Sequence, residues 1–258
     1  MRQTATRPEN AEIQKRIGLL HIEERKKDAL LSAAEHLLAD RKVLGVAIIG
    51  SISRGETNPN DIDLVVLVRG SRYATRRRIY HRERVHMLIR GIERFIQSNL
   101  RRAPERWRYA YPPLSDAVIL WDSEGTLAAA RGRQRRLRSI GPSRVLPNEA
   151  MRLRAELTES LEALEACRAD ELCRIILATQ FIARCAEVHL RLRGFWAPTR
   201  ENLPRELKTL APEFAGLCQK ALSQAGRADA CLRMARRAAE KALASVGGLV
   251  GEYEVCWD

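Results

Sequence analysis

The chain lacks the marks of several protein classes. It has no CxxC pair, and its six cysteines (Cys167, Cys173, Cys185, Cys218, Cys231 and Cys256) all stand in the second half. That argues against a small disulfide-stapled secreted scaffold and predicts reduced, mostly buried thiols. No stretch reaches the roughly 18 uninterrupted apolar residues of a membrane span, and the opening MRQTATRPENAEIQKR has no apolar core of a signal peptide. A soluble, cytoplasmic protein with no membrane partner is expected. Aromatic residues make up only 5% of the chain and are not interleaved with its arginines, so base stacking on single-stranded nucleic acid has little support. Lysine is missing from Arg72 to Arg108, where twelve arginines stand against three glutamates, a net of +9 in a chain of net +13. Such a surface favours a polyanion, whether a nucleoside triphosphate, RNA or an acidic protein, although solvated surface charge would explain part of it.

The 258 residues, 45% of them hydrophobic, suffice for one or two cores, and two domains is the expectation. From Asn10 to about Asp40, apolar residues recur at helical spacing. Val43 to Ile49 (VLGVAII) and Ile62 to Val68 (IDLVVLV) read as strands buried on both faces, separated by a turn at Asn58-Pro59-Asn60. Arg76 to His81 and Arg84 to Ile89 read as a third and fourth strand joined by a tight turn. In the latter, alternation puts Val85, Met87 and Ile89 on one face and His86 with Leu88 on the other. A helix from Gly91 to Arg101, a strand from Ala117 to Trp121 and a helix from Gly125 to Arg138 complete the first domain, 1–141. Beyond Pro147 strand signals vanish. Five stretches with helical spacing, punctuated by Pro198, Pro204 and Pro212, predict an all-α bundle of four or five helices over 142–258. The fold class is therefore α+β: a small mixed sheet with flanking helices, then a helical bundle.

Between the first two strands lies Gly50-Ser51-Ile52-Ser53-Arg54-Gly55, followed by Asp61-Ile62-Asp63-Leu64. Gly50 allows close approach of backbone to a phosphate, and Ser51 adds a hydroxyl donor. Arg54 can hold a phosphate oxygen, while Gly55 keeps the turn compact. Asp61 and Asp63, two apart on a strand, project to one face and repel each other unless a divalent cation lies between them. Mg²⁺, held by one or two carboxylates plus waters and substrate phosphates, suits that pair.

This segment, GSISRGETNPNDIDLVVL, resembles the glycine-serine, arginine-glycine and Asp-x-Asp signature of the DNA polymerase β-like nucleotidyltransferase superfamily. It is most similar to the small bacterial branch that includes aminoglycoside nucleotidyltransferases, in which a minimal α/β domain precedes a helical one. The resemblance implies transfer of a nucleoside monophosphate from ATP or another NTP to an acceptor hydroxyl, with release of pyrophosphate. Gly50, Ser51, Arg54 and Gly55 would hold the triphosphate, and Asp61 and Asp63 would bind Mg²⁺, with Mn²⁺ as a second candidate. It also implies a third acid on a later strand, and the matching position in Arg84 to Ile89 is His86. Histidine is a softer ligand, better matched to Mn²⁺ or Zn²⁺. Three readings stay open. Glu83 could replace the acid from the strand end, or His86 could serve as a catalytic ligand or base. In the third, the chain is a catalytically impaired module that binds nucleotide, RNA or a protein partner through a basic cleft.

The acceptor is open among a small molecule, RNA and protein, and a homodimer is one assembly left open. Glu187, in the stretch Asp170 to Arg193, is a candidate general base, because the branch uses an acid from the helical domain; a helix-surface ion pair is the plainer role. His21, His36 and His189 have no partners at metal-ligand spacing and read as structural or exposed, and His81 is at most a cleft-lining residue. Trp196 reads as core packing at a helix end. Arg76, Arg77, Arg78, Arg82 and Arg84 bracket the His86 strand, a rim that would repel cationic aminoglycosides and favour an anionic acceptor.

Overall fold

A computed structural model describes residues 10–56, 59–101 and 111–253. They divide into two compact units. Residues 10–101 and 112–140 belong to the first, and Tyr111 with 141–253 to the second. The architecture is α+β.

In the first unit, helices α1 (Asn10–Gly18) and α2 (Glu24–Ala39) precede β1 (Val43–Ile49), a short α3 (Gly50–Ser53) and β2 (Ile62–Val68). Then come β3 (Tyr73–Tyr80), β4 (Glu83–Gly91), α4 (Ile92–Ile96) running into a π-turn (Gln97–Arg101), β5 (Val118–Asp122) and α5 (Thr126–Ile140). The five strands form one mixed sheet in the order β3-β4-β2-β1-β5. β2 runs parallel to β4, while the β1–β2, β1–β5 and β3–β4 pairs are antiparallel.

The two continuous apolar runs take the centre because only there can both faces be covered. β1 is buried at every position. One face packs on α1 and α2 through Ile13, Ile17, Leu30 and Ala33, and the other on α4 and α5 through Phe95, Leu127 and Ala130. β3, at the edge, alternates between half-buried and exposed positions. The turn joining it to β4 places both His81 and Arg82 at positive φ, 49° and 67°. Such a pair closes a two-residue hairpin with the twist that strands prefer, at a cost that glycine would avoid. The His81 ring nitrogen lies 2.9 Å from Ser32 Oγ on α2, which helps to hold the turn.

The second unit contains α6 (Pro147–Ala166), α7 (Glu171–Leu192), α8 (Leu203–Leu210), α9 (Pro212–Ser223) and α10 (Ala228–Leu243). Leu153, Leu157, Leu161 and Leu164 line one stripe of α6 and share a core with Phe181, Ile182 and Cys185 of α7 and Phe214 of α9. Arg174 is buried among them. Its guanidinium donates to the carbonyls of Arg168 (2.6 Å), Gly226 (3.0 Å) and Ala225 (3.1 Å), tying two turns to α7.

The expectation of reduced cysteines holds only in part. Cys167, at the end of α6, and Cys173, in the first turn of α7, are joined in a disulfide, because the reversal between the helices brings their Cα atoms to 6.0 Å. Cys185, Cys218 and Cys231 are free and buried. Burial raises the Cys185 and Cys218 thiols well above their ordinary range, so neither is a ready nucleophile. Cys256, part of the turn at Asn58 and part of the arginine run lie outside the described residues. Among the described residues, no helix is long and apolar enough to cross a membrane.

Candidate functional site

The parallel pairing of β2 with β4 sets Asp63 directly beside His86, and Ile49 at the end of β1 flanks Asp63 on the other side. Asp61 stands one residue ahead of β2, not within it, yet its carboxylate still turns to the same place. His86 Nδ1 lies 3.7 Å from Asp63 Oδ1 and 3.8 Å from Asp61 Oδ2. One donor atom from each of the three groups falls within 4.8 Å of the others.

These separations are too long for hydrogen bonds. They are close to what a shared cation needs, since ligand atoms about 2.1 Å from one ion sit about 3 to 3.5 Å apart. Each side chain is about one-third exposed, from 33% to 35%, so an ion could reach them from solvent. Two carboxylate charges about 5 Å apart repel by about 3 kcal/mol at an effective dielectric constant near 20. Burial, and next the Asp61 charge, push the Asp63 carboxyl above its usual range, while His86 and Arg54 pull it back only in part. A divalent cation would relieve both costs, and two carboxylates with one imidazole form a sound donor set for one. The residues therefore fit a divalent metal.

Gly50 holds this arrangement together. Its φ is +78°, and a Cβ added there would stand 2.8 Å from Asp63 Oδ2. A side chain would be strained on its own account and would drive the carboxylate out of position. Gly50 thus lies against the acid as well as opening α3. Ser53 Oγ donates to the Gly50 carbonyl at 2.9 Å, and the backbone amides of Arg54 and Glu56 reach back into the same turn. Ser51 is half-buried in that turn, and Gly55 follows it at φ +81° with open space around it. The Arg54 guanidinium lies against Glu56, with Nη2 at 3.0 Å from Oε1.

The other candidates are placed elsewhere. Glu83 falls on the opposite face of β4 from His86, in the odd-numbered set with Val85 and Met87, and pairs with Arg25 of α2 at 2.5 Å. It cannot replace the third acid from there. The arginine rim divides in the same way. Register puts Arg77 beside His86, whereas Arg76 and Arg78 pair with Met87 and Val85 on the other face, where Arg78 contacts His36. Glu187 of α7 accepts from Arg184 Nη1 at 2.9 Å, and the same guanidinium forks onto both oxygens of Glu156 at 2.6 and 2.8 Å. His189 stacks on Phe214, with ring centroids 4.0 Å apart.

The sequence reading missed the contact between Gly50 and Asp63. Its only signal was a glycine directly after an apolar strand, which does not reveal the partner across the ladder.

Comparison with protein-family models finds no match, and no curated protein matches the chain. Among solved structures it is similar to a nucleotidyltransferase-like protein from Exiguobacterium sibiricum 255-15, at 13% identity and a TM-score of 0.47, over 86% of this chain and 75% of that one.

Proposed function

We propose that the chain is a metal-dependent nucleotidyltransferase that moves a nucleoside monophosphate from an NTP to an acceptor hydroxyl. The observation that carries this reading is the convergence of Asp61, Asp63 and His86 around one point beside the Gly50 turn. Asp61 and Asp63 would hold a divalent cation, Mg²⁺ or Mn²⁺, with His86 as third ligand. A cation bound there supplies charge neutralisation at the transferring phosphorus and the leaving pyrophosphate. Gly50 and Ser51 bring backbone and hydroxyl donors to the triphosphate. Arg54, freed from Glu56 by a stronger anion, would hold a phosphate oxygen. The acceptor oxygen bonds to the α-phosphorus as its bond to the bridging oxygen breaks, and pyrophosphate departs with the electron pair. ATP is the proposed donor. Glu187 already carries a close cationic partner, which favours its ion-pair role over that of a general base.

A second reading has one observation in its favour: the third ligand position holds an imidazole where the superfamily resemblance implies an acid. On that reading the unit binds nucleotide, RNA or a protein through its basic surface and turns over little or nothing. Pyrophosphate release from ATP with Mg²⁺ or Mn²⁺ separates the two. For an enzyme, Asp61→Ala with Asp63→Ala lowers release by about a hundredfold or more while the far-ultraviolet circular dichroism stays unchanged. Equal release by wild type and double variant would refute the proposal. A large gain in His86→Asp would favour the second reading, whereas a loss would give His86 a role of its own.

A further inference from the structure

A cavity of about 280 Å³ opens on the same sheet face as the Asp61–Asp63–His86 cluster. Its floor is Ile49, Val65 and Leu88, and its far end is Tyr73 with Arg90 and Arg94. Ile49 is the register partner of Asp63. Val65 and Leu88 lie two residues beyond Asp63 and His86 on their strands, about 7 Å along the sheet. The cavity therefore begins next to the proposed reaction centre.

The roof is built rather than incidental. It consists of α4 and the π-turn, a rare element that recurs at functional sites. Buried Gln134 of α5 fixes it. The Gln134 amide donates to Asn99 Oδ1 at 3.1 Å, and its carbonyl oxygen accepts from the Leu114 amide at 2.7 Å. Asn99 in turn donates to the Phe95 carbonyl at 3.1 Å. Both guanidinium groups at the far end lie over one ring: Arg90 3.9 Å and Arg94 4.7 Å from the Tyr73 centroid. Arg90 is also tied to the carbonyls of Ala74 and Ile89. Arg94 and Tyr73 are exposed. Among the described lining residues there is no carboxylate.

We infer that this cavity is the acceptor pocket of the proposed transferase, and that its occupant is a small hydroxyl-bearing anion with a planar or apolar body. The inference rests on the transferase reading for the word acceptor, but the chemistry of the cavity stands independently. Its volume lies just below the usual range for ligand pockets, about 300 to 1,000 Å³, which suits a small monomeric substrate rather than a polymer. The apolar floor takes the body of the molecule. Tyr73 and Arg94 take a carboxylate or phosphomonoester at the mouth, where a cationic amino sugar would be repelled. With the anion anchored there, the hydroxyl points back toward Asp63. Its oxygen bonds to the α-phosphorus, pyrophosphate leaves with the electrons of the broken bond, and the hydroxyl proton passes to solvent.

Ligand-observed NMR on the full chain tests this, with 3-hydroxybenzoate and 3-hydroxyphenyl phosphate as probes and a cationic amino sugar as control. The two anions are expected to bind and the amino sugar not to. Arg94→Gln and Tyr73→Ala should each weaken the anions about tenfold or more, while Arg94→Lys retains part of the affinity. Asp61→Asn with Asp63→Asn should leave anion binding in place. Absence of anion binding, or affinity unmoved by Arg94→Gln and Tyr73→Ala, overturns the inference. So does competitive displacement of 3-hydroxybenzoate by ATP, which would make the cavity a nucleobase site. Mn²⁺ binding is measured on the same samples and should be unchanged in Arg94→Gln. Its absence from the wild type would overturn the transferase reading and the acceptor role together, whereas the anion titration alone decides the chemistry of the cavity.

Discussion

Two sets of polar side chains, one in each unit, are built in opposite ways. In the helical unit, buried Arg174 has three carbonyls, half-buried Arg184 has two glutamates, and His189 has the face of Phe214. In the sheet unit, Asp61 and Asp63 are set side by side, Asp63 is desolvated, and the nearest imidazole nitrogen stays beyond hydrogen-bond range of both. Polar groups that are satisfied by the chain itself contribute to stability. A pair of like charges held together at a stability cost is suited to a ligand of opposite charge.

Substitutions in these two sets should therefore act with opposite sign. The largest effect is expected at Arg174. Arg174→Ala strands three carbonyls and should cost about 3 kcal/mol or more, read from the urea midpoint. A cost below about 1 kcal/mol would break the comparison, because the guanidinium would then not be what ties those turns.

His189 gives the next effect, through pH. Burial, and then the charges of Arg193 and Lys241, lower its pKa from 6.5 to about 4. As pH falls below 6.5 the unfolded chain takes up a proton that the folded chain refuses until about pH 4. The stability that neutral His189 confers is thus complete above pH 6.5 and lost between 6.5 and 4. The loss should reach about 1 to 3 kcal/mol, and His189→Phe should flatten that limb of the pH–stability curve.

The smallest effect sharpens the contrast by its sign. Asp63→Asn removes one of two like charges from a half-buried position, so the metal-free protein should gain about 1 kcal/mol in thermal unfolding. A loss of similar size would mean that the carboxylate is already compensated.

How much of this was legible in the sequence depends on whether the signal was local. Val43–Ile49 and Ile62–Val68 were readable to the residue, because uninterrupted β-branched runs between turn residues leave few alternatives. β3 was read three residues late at its start, since Tyr73, Ala74 and Thr75 sit on an edge strand whose pattern is not apolar. The face of His86 followed from simple alternation, and its neighbours did not. Whether Asp63 stands beside His86 depends on the β2–β4 register, a parallel pairing of strands separated in the chain by β3, which no local pattern encodes. Glu83 differs for a local reason: the strand expected from Arg84 begins at Glu83, and the same alternation then turns it to the other face of the sheet, toward Arg25. The disulfide between Cys167 and Cys173 depends likewise on how sharply α6 turns into α7, which spacing alone does not fix.

The central claim is that Asp61, Asp63 and His86 together form a divalent cation site. It is tested most directly by pulsed electron paramagnetic resonance of Mn²⁺ titrated into the purified chain. The account predicts bound Mn²⁺ with an imidazole nitrogen coupling, loss of that coupling but not of the ion in His86→Asp, and loss of both when Asp61 and Asp63 are changed to Asn. Mn²⁺ that fails to bind the wild type, or that binds with the same nitrogen coupling in His86→Asp, would contradict it.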